Sequence, residues 1–165
     1  SQADPFKALA EFDIPGYDLI GGFNPHQQNL AARLAGAVAD IYSKPAVMAE
    51  TFGAFGEGLT FEEMQKILTW QAQRGTTMVV PHAFFYSIEG DRRYDNPPNL
   101  MGERYLPHFA ELSKGFEEEV EKHTSQGNVA VYYPVTAIQA TYNPKDEQHA
   151  ARIYRATQEV TSKLE

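Results

Sequence analysis

The feature that most constrains this chain is an order: four short apolar runs, each followed by a stretch with helical spacing. Residues 17–20 form the first run, stopped by Gly21 and Gly22. Residues 46–49 form the second, ending at Glu50, and residues 77–80 the third, which leads into Pro81-His82-Ala-Phe-Phe-Tyr86. Residues 128–133 form the fourth, closed by Pro134. Runs this short, bounded by Gly and Pro and rich in β-branched and aromatic residues, read as strands.

The stretches between them read as helices. Leu30, Leu34, Val38 and Ile41 recur at three- and four-residue steps until Pro45, which has no N–H with which to continue. Thr60-Phe-Glu-Glu63 is a capping box opening a helix with Phe61, Met64, Ile67 and Leu68 on one side, ended near Gly75. Further helices are expected over 105–123, on Phe109, Leu112, Phe116 and Val120, and over 146–164, on Ala150, Ile153, Ala156 and Val160. Strand and helix in strict alternation predict parallel strands with right-handed crossovers, an α/β class. Because the runs are near-continuous, the strands are expected to be covered on both faces.

Charge and composition exclude several functions. With 22 acidic against 14 basic residues, the formal net charge is −8, and no basic cluster exists. Neither nucleic acid, which is bound through Lys and Arg, nor an anionic membrane surface is an expected partner. The absence of cysteine removes thiolate nucleophiles, disulfides and Cys-based zinc sites. The histidines are scattered without an H-E-x-x-H, so no metal site is expected. No glycine-rich phosphate loop follows a strand, and no cofactor is expected. The opening Ser-Gln-Ala-Asp-Pro has neither an initiator Met nor a signal segment and reads as processed or cut from something longer. The compartment stays open, with the periplasm or the outside of the cell favoured over the cytoplasm.

In parallel α/β folds function collects at the C-terminal ends of the strands. That rule selects Glu50, the stretch from His82 to Tyr86, and the stretch from Gly21 to His26. Strand tips about 5 Å apart would let Glu50, His82 and Tyr86 face one cavity. A Tyr hydroxyl donating to Glu50 would hold it ionised, as a carboxylate nucleophile or base requires. The alternatives are structural. Glu50 can cap the next helix or pair with Arg92 or Arg93, His82 can be a hydrogen-bonded structural histidine, and Tyr86 a half-buried wall. Trp70 sits at core spacing mid-helix, and Glu117-Glu118-Glu119 reads as a solvated helix face.

The stretch Lys44-Pro-Ala-Val-Met-Ala-Glu50-Thr-Phe-Gly53 is followed by Gly58-Leu-Thr-Phe-Glu-Glu-Met64, Trp70-Gln71 and Gly75. Then come Pro81-His-Ala-Phe-Phe-Tyr86-Ser-Ile-Glu-Gly90, Arg93 and Asp95-Asn-Pro-Pro98. Together these blocks resemble large bacterial glycoside hydrolases related to β-galactosidases and α-L-rhamnosidases. The resemblance runs over residues 12 to 134 and is densest over 44–98. It implies a partial (β/α) barrel over 1–125, carrying the last three strand–helix units. Residues 126–165 would then supply the first strand and helix of a following flavodoxin-like α/β domain. It further implies that Glu50, at the seventh barrel strand, is a catalytic carboxylate of an O-glycosidase. Asn24, His26, His82, Tyr86 and Arg93 would line the sugar subsite. Because the strand that would carry the acid/base is not in this chain, the activity implied is that of a fragment; Glu57, Glu89 and Asp91 are the loop carboxylates available as substitutes. The expected partners are a carbohydrate substrate and, because three strands leave raw edges, another copy or the rest of the barrel. The alternative is a non-catalytic carbohydrate-binding or structural α/β module.

Overall fold

The computed structural model describes residues 4–85, 87, 97–123 and 129–164. The chain opens with α1 (Pro5–Ala10), capped by the Asp4 carboxylate, and enters β1 (Gly16–Ile20). Helix α2 (Pro25–Tyr42) leads to β2 (Met48–Gly53), and α3 (Phe61–Ala72) to β3 (Met78–Pro81). The three strands lie side by side in the order β1-β2-β3, all parallel. The class is therefore α/β, with a small three-stranded parallel sheet as its centre.

Side chains alternate across this sheet, and the alternation decides where the core forms. Tyr17 and Leu19 of β1 and Ala49 and Thr51 of β2 point to one face and are buried. Tyr17, Leu19 and Ala49 meet Ala32, Ala35 and Ala39 of α2 and Met64, Ile67 and Leu68 of α3 in one cluster. Leu19, Met64 and Ile67 are fully enclosed, which stabilises the fold by about 1.5–3 kcal/mol for each such side chain. The small residues of α2 let the helix lie close. A Cβ on Gly36 would stand 2.8 Å from the Arg74 carbonyl oxygen, and Gly75, at φ 90°, turns the chain beside it.

The opposite face is open, against the expectation of cover on both sides. Asp18, Ile20, Met78 and Val80 are exposed there and Glu50 is half-buried. The runs are near-continuous in sequence, yet helices pack on one side only among the described residues.

A buried polar network pins α3 to the sheet. Gln71 Nε2 donates to Thr51 Oγ1 at 2.8 Å, and the Tyr17 hydroxyl pairs with Thr76 Oγ1 at 2.8 Å. Burial pushes the Tyr17 phenol up, although the Thr76 and Gln71 hydrogen bonds and Arg74 act against it. Arg74 is itself buried, with Nε donating to Asn29 Oδ1 at 2.7 Å and its guanidinium 4.1 Å from the Trp70 ring centre. Trp70 is thus a packing residue, as its spacing predicts.

The helix expected over 105–123 is a single 3-10 turn, Leu106–His108, followed by α4 (Phe109–Lys122), which packs on α3. Beyond it the structure corrects the sequence reading. Residues 129–134 form no strand, so the first strand of a following α/β domain is not present among the described residues; Asn128 lies outside them. A Val- and Tyr-rich run becomes a strand only beside a partner edge, and this one pairs with none among the described residues. Val129 is 66 % and Tyr132 76 % exposed. After Pro134 the chain forms α5 (Val135–Thr141), then α6 (Gln148–Lys163) at the place expected for the last helix. α6 packs against α5 and α2.

Candidate functional site

The open face of the sheet gathers the chemistry. Glu50 is the third residue of β2 rather than its last, because the strand continues through Thr51 and Phe52 to Gly53. Its ladder partners are Asp18 on β1 and Val80 on β3. Two carboxylates therefore leave the same face from adjoining strands, about 4.8 Å apart in the pairing direction. Val80 lies beside Glu50 on β3, and Ile20 follows Asp18 two residues along β1, both exposed.

His82, the residue after β3, is held by its N–H, which donates to Thr51 O at 2.7 Å. Its ring reaches back toward the sheet, placing Nδ1 3.8 Å from Glu50 Oε1. At that separation the two groups form an ion pair when the imidazole is protonated. The two side chains are 33 % and 41 % exposed, so the site is open to solvent. The peptide bond between His82 and Ala83 is cis.

Just beyond Glu50 the strand departs from extended geometry. Phe52 has φ 79° and Ala54 φ 58°, a left-handed region that bulky residues rarely enter. Burial of the Phe52 ring, edge-on to Phe55 at 6.3 Å, holds this turn in place. The β1–β2 register shifts at the same level, pairing Ile20 with Gly53.

The other sequence candidates divide. Asn24 is the N-cap of α2, its side chain accepting from the Gln27 N–H at 3.2 Å, which is a structural duty. His26 is exposed in the first turn of α2, at the same end of the sheet as His82. Tyr86 and Arg93 lie outside the described residues, as do Arg92, Glu89 and Asp91. Glu50 does not cap the next helix, because Thr60 does. Glu57 is a tether: its carbonyl accepts from the Arg104 guanidinium and the Tyr105 hydroxyl, and its carboxylate accepts from the Asn99 N–H at 3.3 Å. Tyr105 is buried by this arrangement, which pushes its phenol up.

Asp18 escaped the sequence reading. Asp18 and Glu50 are each the third residue of their strand and are flanked by inward-facing residues, but only the pairing register makes them neighbours. Among the described residues no three His, Asp or Glu side chains gather as a metal ligand set, and no helix is long and apolar enough to cross a membrane. No family model, curated protein or solved structure matches the chain.

Proposed function

We propose that this chain is part of an O-glycoside hydrolase and that Glu50 supplies one of its two catalytic carboxylates. The observation that carries the reading is the approach of His82 Nδ1 to 3.8 Å from Glu50 Oε1 on the uncovered face of a parallel sheet. Helices on one side and an open, partly polar face on the other suit a segment of a (β/α) barrel, whose interior the open face would line. In that arrangement β1, β2 and β3 are the sixth, seventh and eighth barrel strands, in line with the resemblance of residues 44–98. The substrate is a carbohydrate.

The roles follow from geometry. The two carboxylates of a glycosidase flank the scissile bond, one protonating the leaving oxygen while the other attacks or activates water. Asp18 and Glu50 rise from one face on neighbouring strands, so both approach a sugar from the same side. Asp18 therefore serves as an acceptor for sugar hydroxyls, and the acid comes from across the barrel, from strands other than β1–β3. His82 steadies the Glu50 carboxylate and donates to the substrate.

A panel of activated aryl glycosides, offered to the protein that carries this chain, tests the reading. Glu50→Gln is expected to lower kcat by roughly three orders of magnitude or more while melting as the wild type does. Turnover within tenfold of wild type would sink the assignment. A non-catalytic carbohydrate-binding module is the second reading, favoured by the 41 % exposure of the Glu50 side chain, since catalytic carboxylates are commonly tuned by burial. Saccharide binding without turnover in the wild type selects that reading instead.

A further inference from the structure

The two edges of the sheet differ. On β1 the inward residues Tyr17 and Leu19 are buried, whereas on β3 the inward Val79 is only half-covered and Thr77 is exposed. Helix α4 packs on α3 rather than on β3. Between them lies a groove of about 470 Å³, walled by Phe52, Leu68, Val79, Phe109, Phe116 and Val120. Among the described residues β3 pairs along one edge only. The Met78 and His82 N–H groups donate toward β2, to Val47 O and Thr51 O. By strand alternation Val79 turns its N–H and carbonyl outward, as Pro81 does its carbonyl. An apolar groove thus runs beside unpaired backbone groups.

The rim of the groove is acidic. Glu118 and Glu119 pair with Lys114 and Lys122 on α4 itself. Glu117 and Glu121, both exposed, line the groove. A second copy of this chain, with formal net charge −8, is a poor match for that rim. A helix is a poor match for the edge, because its own N–H and carbonyl groups are already bonded internally. An extended segment satisfies both features: alternate apolar side chains enter the groove, and backbone groups meet Val79.

We propose that the groove between β3 and α4 is the seat of an added β-strand from a partner polypeptide. That strand carries alternating apolar residues and lysine or arginine at its ends, set against Glu117 and Glu121. It extends the sheet by one strand without touching Glu50, but it takes the edge that a closed barrel gives to its next strand, so the inference goes with the module reading and is excluded by the barrel one.

The test uses two fluorescent nine-residue peptides with a valine–threonine alternation, one ending in lysines and one in glutamates, titrated against the whole chain by anisotropy. The lysine-ended peptide is expected to bind, weakening as salt rises, and the glutamate-ended one to bind at least about tenfold more weakly. Glu117→Lys with Glu121→Lys, both on the exposed face of α4, should reverse the preference while the circular dichroism stays unchanged. Phe116→Ala should weaken both peptides. Binding of neither peptide, equal binding of both, or an unreversed preference in the charge-swapped protein overturns the proposal. So does a dimer in sedimentation that dissociates on Phe116→Ala, because the occupant is then a second copy.

Discussion

Asp18 and Glu50 are direct partners in the parallel ladder of β1 and β2, so two carboxylates stand side by side on the open face of the sheet. Like charges opposite one another in a sheet cost rather than contribute stability, by a few tenths to about 1 kcal/mol. Neither residue is buried. Asp18→Asn and Glu50→Gln are therefore each expected to leave the melting temperature unchanged or slightly raised, with the gain shrinking in high salt. A site residue that costs stability is the pattern expected of function. A clear fall in melting temperature for either variant would mean that the carboxylate holds the fold, and the catalytic reading would lose its physical basis.

The neighbouring residue behaves in the opposite way. Thr51 faces the core and receives the Gln71 amide at 2.8 Å, with both side chains fully enclosed. Thr51→Val keeps the shape but takes the Thr51 hydroxyl from the buried Gln71 amide, at a cost of about 1–3 kcal/mol. Chemical denaturation should show that loss. Thr51→Val combined with Gln71→Leu should recover much of it, because both polar groups are then gone.

What the sequence disclosed here divides by range. The helix α3 was legible because its start is written locally, in Thr60 and Glu63. Strands β1, β2 and β3 were legible because Gly and Pro bound short apolar runs. The partnership of Asp18 with Glu50 was not, since register is settled only when two distant segments pack. Residues 129–133 misled for the same reason: Val and Tyr favour a strand, but among the described residues they pair with no other strand. The short helices α1 and α5 carry too few turns for a periodicity. Glu50 itself was found by its run, while its place three residues before the end of β2 depended on the turn at Phe52.

Gly36 sets two effects against each other. Alanine in the middle of a helix is worth roughly 1 kcal/mol over glycine. At this position, however, the added Cβ meets the Arg74 backbone oxygen at 2.8 Å, closer than such atoms approach without displacement. The atom it meets is backbone, at the turn that ends α3, and cannot rotate away. Overpacking of this kind costs about 1–3 kcal/mol, so Gly36→Ala is expected to be destabilising on balance. A control in open space, Gly115→Ala on α4, has nothing within 4 Å of its Cβ and should stabilise. Opposite signs for the two substitutions in one denaturation series check the prediction; equal stabilisation would show that α2 can move off the turn.

The capping box of α3 predicts a pH dependence with a definite sign. Glu63 accepts from the Thr60 N–H at 2.8 Å, and this bond, followed by that from the Thr60 hydroxyl, holds its carboxyl below the usual value. A carboxylate whose folded pKa is depressed contributes stability that is present above its unfolded value of 4.5. That contribution is lost as pH falls through the folded pKa. Melting temperature in the wild type should therefore decline below pH 4.5 partly through this residue. Glu63→Gln retains a hydrogen-bonding side chain but cannot titrate, so its melting curve should converge on that of the wild type at low pH and fall beneath it at neutral pH. Thr60→Ala removes the N-cap acceptor itself and should cost about 1 kcal/mol at pH 7. A constant gap between wild type and Glu63→Gln from pH 7 down to pH 3 would show that the ionised Glu63 contributes nothing to the start of α3.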